Sequence, residues 1–338
     1  MACGGKTTGV GPPAPTPPAP GSPSAPLSFG AASAIYPNLT EWPTFIASDG
    51  VDLFWIDFQG TVWSGPVTGG DPRPIASGAC PEVPQFLWLD PDSVYFVQCQ
   101  PPPMSAGGAS IVSVPRLGGA PAVLIAVSDY LLAATAVEGT AYWLDSEVGD
   151  VLSDGGTTFA RSVPLKGLAN AITLGTISAP SPAAFLPAFI AESDGTLFVV
   201  APASNAYGPW GGVLTPGGAW TPMNEGSAHC GPLLADSAGA YCVEDPPGAV
   251  GVLSADGQVT TTQNTSHAEV IALDATNLYW AAYPSETGSG NVATTPRGGG
   301  AVIVIAQAAN IPTAMAVDDG AVYWSTQGQN TIWRAAKQ

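Results

Sequence analysis

A short apolar-aromatic phrase returns seven times along this chain, at a mean interval of about 45 residues. It reads Leu53-Phe54-Trp55, Val94-Tyr95-Phe96, Ala141-Tyr142-Trp143, Leu197-Phe198-Val199, Ala240-Tyr241-Cys242, Leu278-Tyr279-Trp280 and Val322-Tyr323-Trp324. Each copy stands among short runs of β-branched and aromatic residues punctuated by Gly, Pro, Asn and Asp, the pattern of strands joined by tight turns. A strand-built unit of this length has two apolar faces to hide, and stacking like units around an axis hides both. The sequence therefore predicts an all-β fold: a seven-bladed β-propeller with four-stranded antiparallel blades.

The sixth repeat shows the plan. Residues 270–274 read as an inner strand, 275–277 as a turn, 278–281 as the second strand, 291–295 as the third, Pro296-Arg297-Gly298-Gly299 as a turn and 302–305 as the outer strand. The second repeat has the same order over 86–90, 94–97, 109–114 and 122–127. The seventh stops after its third strand, 331–334, which would leave an open edge; the missing strand is expected from residues 27–35, so that an N-terminal strand closes the ring. The long interval from Tyr142 to Phe198 reads as an insertion or an irregular blade. The domain plan is a tether over residues 1–27 and one propeller over 28–338.

Acids of the first turn, Asp49, Asp90, Asp194, Asp236, Asp274 and Asp318, fall at nearly one phase. They read as turn closers, accepting backbone N–H groups two residues on, in preference to a metal or catalytic row. Arg116, Arg297 and the near-equivalent Lys166 recur at the opposite hairpin and read as solvated surface or as partners for those acids.

Lys and Arg total only 8 against 26 Asp and Glu, a net charge of -18. Such a surface repels phosphate backbones, so no nucleic-acid partner is expected, whereas cations, basic peptides and neutral glycans remain open. The apolar runs are short and broken by turns, and none approaches a membrane helix.

Four cysteines read as two pairs at one phase of the repeat: Cys80 before an inner strand with Cys99 after the second strand, and Cys230 with Cys242 three blades on. Two hairpin disulfides follow, each closing a loop of roughly 12 to 20 residues and worth about 2 to 3 kcal/mol. Disulfides imply an oxidising compartment; four buried free thiols in a cytosolic protein are the alternative. Zinc is disfavoured by the lack of a Cys-x-x-Cys spacing and by only two histidines.

Residues 4–27 are almost wholly Pro, Gly, Ala, Ser and Thr, a composition expected to form a disordered tether. Ala2-Cys3-Gly4 before that tether resembles the end of a bacterial lipoprotein signal, whose Cys carries the lipid; the basic and apolar parts of such a signal do not precede it here. Lipidation at Cys3 would account for the odd cysteine and make a lipid anchor the one route to a membrane. The segment from Ala316-Val317-Asp318 through Val322-Tyr323-Trp324-Ser325-Thr326 to Ile332-Trp333-Arg334 resembles the YWTD-like propeller repeats of bacterial surface lipoproteins. That resemblance spans residues 40–338, and it implies a bacterial outer-membrane, cell-surface or secreted location. Two departures stand against it: no repeat keeps the Asp after Tyr-Trp-Thr, and seven repeats occur where YWTD domains usually have six.

In a propeller the loops that lead into the inner strands and those between second and third strands share one face. Here they bring Glu41, Trp42, Glu82, Gln85, Asp129, Tyr130, Tyr207, Trp210 and Asn310 to a ligand-binding face, whose aromatics suit stacking on sugars or peptide groups. His229 and His267, with Glu269, are the candidate acid/base groups of a lyase or lactonase reading, although their spacing matches neither family. Asp145, Glu147 and Asp150 are the only suggestion of a Ca²⁺ site, and they lack the Asp-x-Asp-x-Asp-Gly order. No cofactor is otherwise expected. The function read from the residues is an extracytoplasmic binding or scaffold module for a protein, peptide or glycan, acting as a monomer; the alternative is a propeller enzyme using one of the histidines.

Overall fold

A computed structural model describes residues 27–338 apart from 81–85, 100–107, 128–129, 147–157, 168–169, 178–188, 202–209, 224–229, 237–238, 245–247, 264, 266–267, 283–289 and 309. Its 28 strands form seven four-stranded antiparallel sheets, and no helix occurs among the described residues. The chain is a seven-bladed β-propeller. Six blades take four consecutive strands each; the first, for example, takes Pro43–Ser48, Asp52–Asp57, Val62–Pro66 and Arg73–Ala76 from the inside outward.

The recurring aromatic phrase is the second strand of every blade. That strand has hydrogen-bonded neighbours on both edges and another blade against each face, so it carries no solvent side and reads as a continuous apolar run. Leu53, Phe54, Trp55 and Ile56 are at most 1% exposed. The core is accordingly distributed between blades: Phe54 and Ile56 of the first pack with Leu87, Val94 and Phe96 of the second.

The interval between Tyr142 and Phe198 joins two ordinary four-stranded blades. Tyr130–Val137, Thr140–Ser146, Thr158–Pro164 and Ile172–Ile177 make the third blade; Phe189–Ser193, Thr196–Ala201, Trp210–Leu214 and Trp220–Pro222 make the fourth. The ring closes as the short last repeat requires, with a small shift. Ser33–Tyr36 pairs with Thr331–Ala336 as the outer strand of the seventh blade, ending one residue beyond the expected window, and Phe29 adds a bridge to Lys337. Tyr36 is the bolt of this closure. It lies 5.0 Å from Trp55 of blade 1, and its hydroxyl donates to the Pro66 carbonyl at 2.6 Å. Gly65 makes room for it, since a Cβ there would come within 2.3 Å of the Tyr36 hydroxyl.

Cys80 and Cys99 form a disulfide, with Cα atoms 5.0 Å apart. Cys242 is also disulfide-bonded. The two sets of cysteines expected to pair do not share one phase, contrary to the sequence reading. Cys99 ends its strand, four residues past Tyr95, whereas Cys242 lies inside Gly239–Glu244, directly after Tyr241. The inner strand of blade 5 also begins at Cys230 itself, so this cysteine lies within its strand where Cys80 precedes one.

Candidate functional site

The seven inner strands wall a central channel of about 740 Å³. Its sides are mostly apolar, including Ile46, Leu87, Ala134, Ile190, Ile271 and Met315, with Thr44, Glu269 and Thr313 towards one end and Ser48 and Asp236 towards the other. A concave apolar cavity with a few polar groups at its mouth is the usual form of a small-ligand or peptide site. The direction of the inner strands assigns the ends: Thr44, Glu269 and Thr313 lie on the face that bears the second-to-third-strand loops.

Of the residues proposed for that face, Glu41 and Trp42 directly precede the inner strand of blade 1. Trp42 packs against Phe58, from the loop of the same blade that faces it, with ring centroids 4.4 Å apart and the rings tilted by 31°, so its ring serves local packing. Asn310 stands beside Gly328 on the same face. Glu269 is exposed and lines the channel. His229, His267, Glu82, Gln85, Asp129, Tyr207, Glu147 and Asp150 lie outside the described residues, as do Cys3 and the side chains of Tyr130, Trp210 and Cys230. Asp145 is buried, and both its oxygens accept from Arg161 Nε, at 2.8 and 3.0 Å. It is therefore one half of an ion pair inside blade 3. Among the described residues no cluster of three His, Cys, Asp or Glu side chains is placed to hold a metal.

The opposite face is built by the turn acids, and they behave as turn closers. One oxygen each of Asp49, Asp90, Asp274 and Asp318 accepts the backbone N–H groups two and three residues on, at 2.7 to 2.9 Å. Blade 4 departs from the pattern. Glu192 accepts the Gly195 N–H, while Asp194 takes a left-handed φ of 50° to make the turn itself.

The other oxygen ties neighbouring blades together. First-to-second and third-to-fourth hairpins emerge at the same end of a blade, so the cations stand on the acids' own face. Arg116 bonds Asp49 of the preceding blade, Arg297 grips both oxygens of Asp236, Lys337 reaches Asp274 at 2.8 Å and Lys166 reaches Asp90 at 3.1 Å. Three of these cations also lie over the central ring of the preceding blade's aromatic phrase: Arg116 over Phe54 at 5.2 Å, Arg297 over Tyr241 at 5.5 Å and Lys337 over Tyr279 at 5.2 Å. Carboxylate, ring and cation form a repeated seat between blades.

The seats perturb their acids. Burial pushes the Asp274 carboxyl up, but Lys337, the Tyr279 hydroxyl and two backbone N–H groups outweigh it and hold the group well below the carboxylate range. Asp90 is held low in the same way, against burial, by the Tyr95 hydroxyl, backbone N–H groups and Lys166; Tyr95 is pushed up to about 12 by burial and by Asp90.

A second cavity, of about 410 Å³, opens on this face between blades 2 and 3. Trp88, Leu89, Asp90, Pro91, Glu138, Gly139 and Lys166 line it, and Trp88 lines the channel as well. Sequence reasoning did not find it. Its one signal was Lys166, noticed as only nearly equivalent to Arg116 and Arg297.

No family model matches the chain, and no curated protein matches it. Solved structures resemble it over most of its length. The β-propeller domain of the trilobed protease from Pyrococcus furiosus aligns with a TM-score of 0.60 at 10% identity, covering 88% of this chain and 97% of that one. YCF48 bound to D1 peptide aligns with a TM-score of 0.57 at 11% identity, covering 91% and 97%. The computationally designed Ika8 protein gives a TM-score of 0.59 at 10% identity, covering 90% and 99%. At such identities the likeness is one of fold.

Proposed function

We propose that this protein is an extracytoplasmic binding module that takes a peptide or glycan at the loop-bearing mouth of its channel. The single observation that carries the reading is the channel itself, an apolar well of about 740 Å³ walled by all seven blades, with Thr44, Glu269 and Thr313 at one mouth. The Cys80–Cys99 disulfide supports an oxidising compartment. Lipidation at Cys3, the pairing of Cys230 with Cys242 and membership of the YWTD-like lipoprotein group belong to the same proposal. YCF48 gives a precedent for a propeller with a bound peptide.

Arrays of glycans and peptides probed with the whole chain test the reading. A saturable ligand is expected, lost in Val270→Trp, which fills the channel from blade 6, while the thermal midpoint stays within a few degrees. Binding that survives Val270→Trp unchanged places the site elsewhere. Turnover of a lactone or glycan that disappears in the His229→Ala, His267→Ala double variant replaces the binding module with the enzyme.

A further inference from the structure

The junction between blades 2 and 3 holds a cation seat that the chain fills only in part. In the other three seats the cation is more enclosed: the side chain of Arg297 is 10% exposed, that of Lys337 12% and that of Arg116 21%. One backbone bond fixes the position of the seated residue. The N–H groups of Arg116, Arg297 and Lys337 donate to the carbonyls of Asp92, Thr276 and Gly320 in the first turn of their own blades, at 2.9 to 3.1 Å. In blade 3 that bond is made by Leu165, to Gly139 at 2.8 Å. Leucine therefore occupies the cation's position, 3% exposed in the core between blades 2 and 3, and Lys166 arrives one residue late. Its side chain reaches Asp90 while remaining 60% exposed.

The rest of the seat is in place. Asp90 is buried, its second oxygen accepts the Tyr95 hydroxyl at 2.6 Å, and Trp88 packs 5.1 Å from the Tyr95 ring. Beside them is the cavity of about 410 Å³, which Glu138 borders with an exposed side chain. We propose that this cavity binds the guanidinium or ammonium head of an alkyl cation from outside the chain, with Asp90 and Glu138 supplying negative charge and Trp88 the apolar and π surface. At three junctions of the same ring an arginine or lysine of the chain itself pairs with the turn acid and lies over an aromatic ring, so the fold already shows a carboxylate and a ring holding such a cation, with Trp88 as the ring bordering this cavity. Tryptophan is the strongest of the aromatic faces for a cation, and ionised carboxylates only accept hydrogen bonds. Anions are disfavoured by both carboxylates and by the chain's charge of -18. The incoming head takes the place of Lys166, which is free to swing into solvent.

The site lies on the face opposite the channel mouth, so its test is separate from that of the binding-module reading. Titration of the full chain with n-butylguanidinium, n-butylammonium and the uncharged 1-butanol, followed by ligand-observed NMR, is the direct measurement. Both cations are expected to bind saturably and 1-butanol not to bind. Lys166→Ala, which removes the resident competitor, is expected to tighten binding about threefold, and Glu138→Gln to weaken it about threefold. Both side chains are exposed, so both variants are expected to fold, and thermal melts check this. Val270→Trp is expected to leave the cation affinity unchanged. The blocked peptide acetyl-Gly-Arg-Gly-amide separates sources: tighter binding than n-butylguanidinium assigns the seat to a protein side chain, and equal or weaker binding to a free small alkyl cation. Equal binding of 1-butanol, or cation affinities unaltered in both Lys166→Ala and Glu138→Gln, overturns the proposal.

Discussion

Blades 4 and 6 share one four-strand plan and are held in the ring by different means. Blade 6 is clasped on both sides by charge: its own Arg297 grips Asp236 of blade 5, and its Asp274 is gripped by Lys337 of blade 7. Blade 4 has no cation at its third-to-fourth hairpin, where Thr215 follows the strand and the turn runs Pro216-Gly217-Gly218. It relies on close approach instead. At its junction with blade 3, a Cβ on Gly175 would stand 2.9 Å from Leu214 Cδ1 and 3.3 Å from the Gly218 carbonyl, and inside the blade Gly212 faces Trp220 so tightly that a Cβ would stand 2.2 Å from the indole, whereas the residue at its place in blade 6 is the fully buried Ala293. A propeller junction can thus be shut by a desolvated ion pair over a ring or by backbone packed against one large side chain, and only the first responds to pH.

The largest effect tests the ring that both blades depend on. Deleting residues 27–36 removes Tyr36 and reopens an edge, and should cost about 5 kcal/mol or more, seen as loss of the cooperative thermal transition; deleting residues 4–20 should leave the melting temperature unchanged. The next is confined to blade 4. Gly212→Ala overpacks the strand and is expected to destabilise by about 2 kcal/mol in denaturant titration, while Ala293→Gly in blade 6 should cost about 1 kcal/mol through backbone entropy. Equal costs in the two blades would erase the contrast.

The clasps come third. Arg297→Ala leaves the half-buried Asp236 without its forked partner and should cost about 1.5 kcal/mol, whereas Thr215→Ala in the corresponding hairpin of blade 4, one residue before Arg297's position, should cost under about 0.5 kcal/mol. The smallest effect is the pH dependence. Asp274 has its carboxyl lowered in the folded state, so its contribution is complete above the unfolded value of about 4 and fades as pH falls towards the folded one. The stability difference between wild type and Asp274→Asn should therefore be constant near neutrality and shrink below about pH 4, as read from denaturant midpoints. A difference that stays constant down to pH 2 would remove Asp274 from the seat.

Much of this architecture could be read in the residues because its causes are local. An aromatic phrase between turn formers marks a central strand, and an Asp two residues before a backbone N–H marks a closed turn. The short final repeat required a strand from the other end of the chain, and Ser33–Tyr36 supplies it. The cysteines were only half legible. Cys80 and Cys99 meet at the end of a hairpin, but Cys242 follows its tyrosine directly, and only register shows that Cys230 and Cys242 stand at another phase than Cys80 and Cys99. The cations were legible as partners of the acids and not as bridges between blades, because sequence spacing cannot reveal that Arg116 reaches back 67 residues to Asp49.

By itself, then, the sequence determined the all-β repeat, the number of blades, the closing strand and the turns closed by Asp49, Asp90, Asp274 and Asp318, since all of these follow from strand periodicity and turn chemistry within about 45 residues. Tertiary structure alone decided which acid met which cation, and that the place held by arginine in blades 2 and 6 went to Leu165 in blade 3. The reason is physical. A junction is formed by side chains from two repeats, and a one-residue offset that is trivial along the chain becomes, across the junction, the difference between a filled seat and an open cavity beside Trp88.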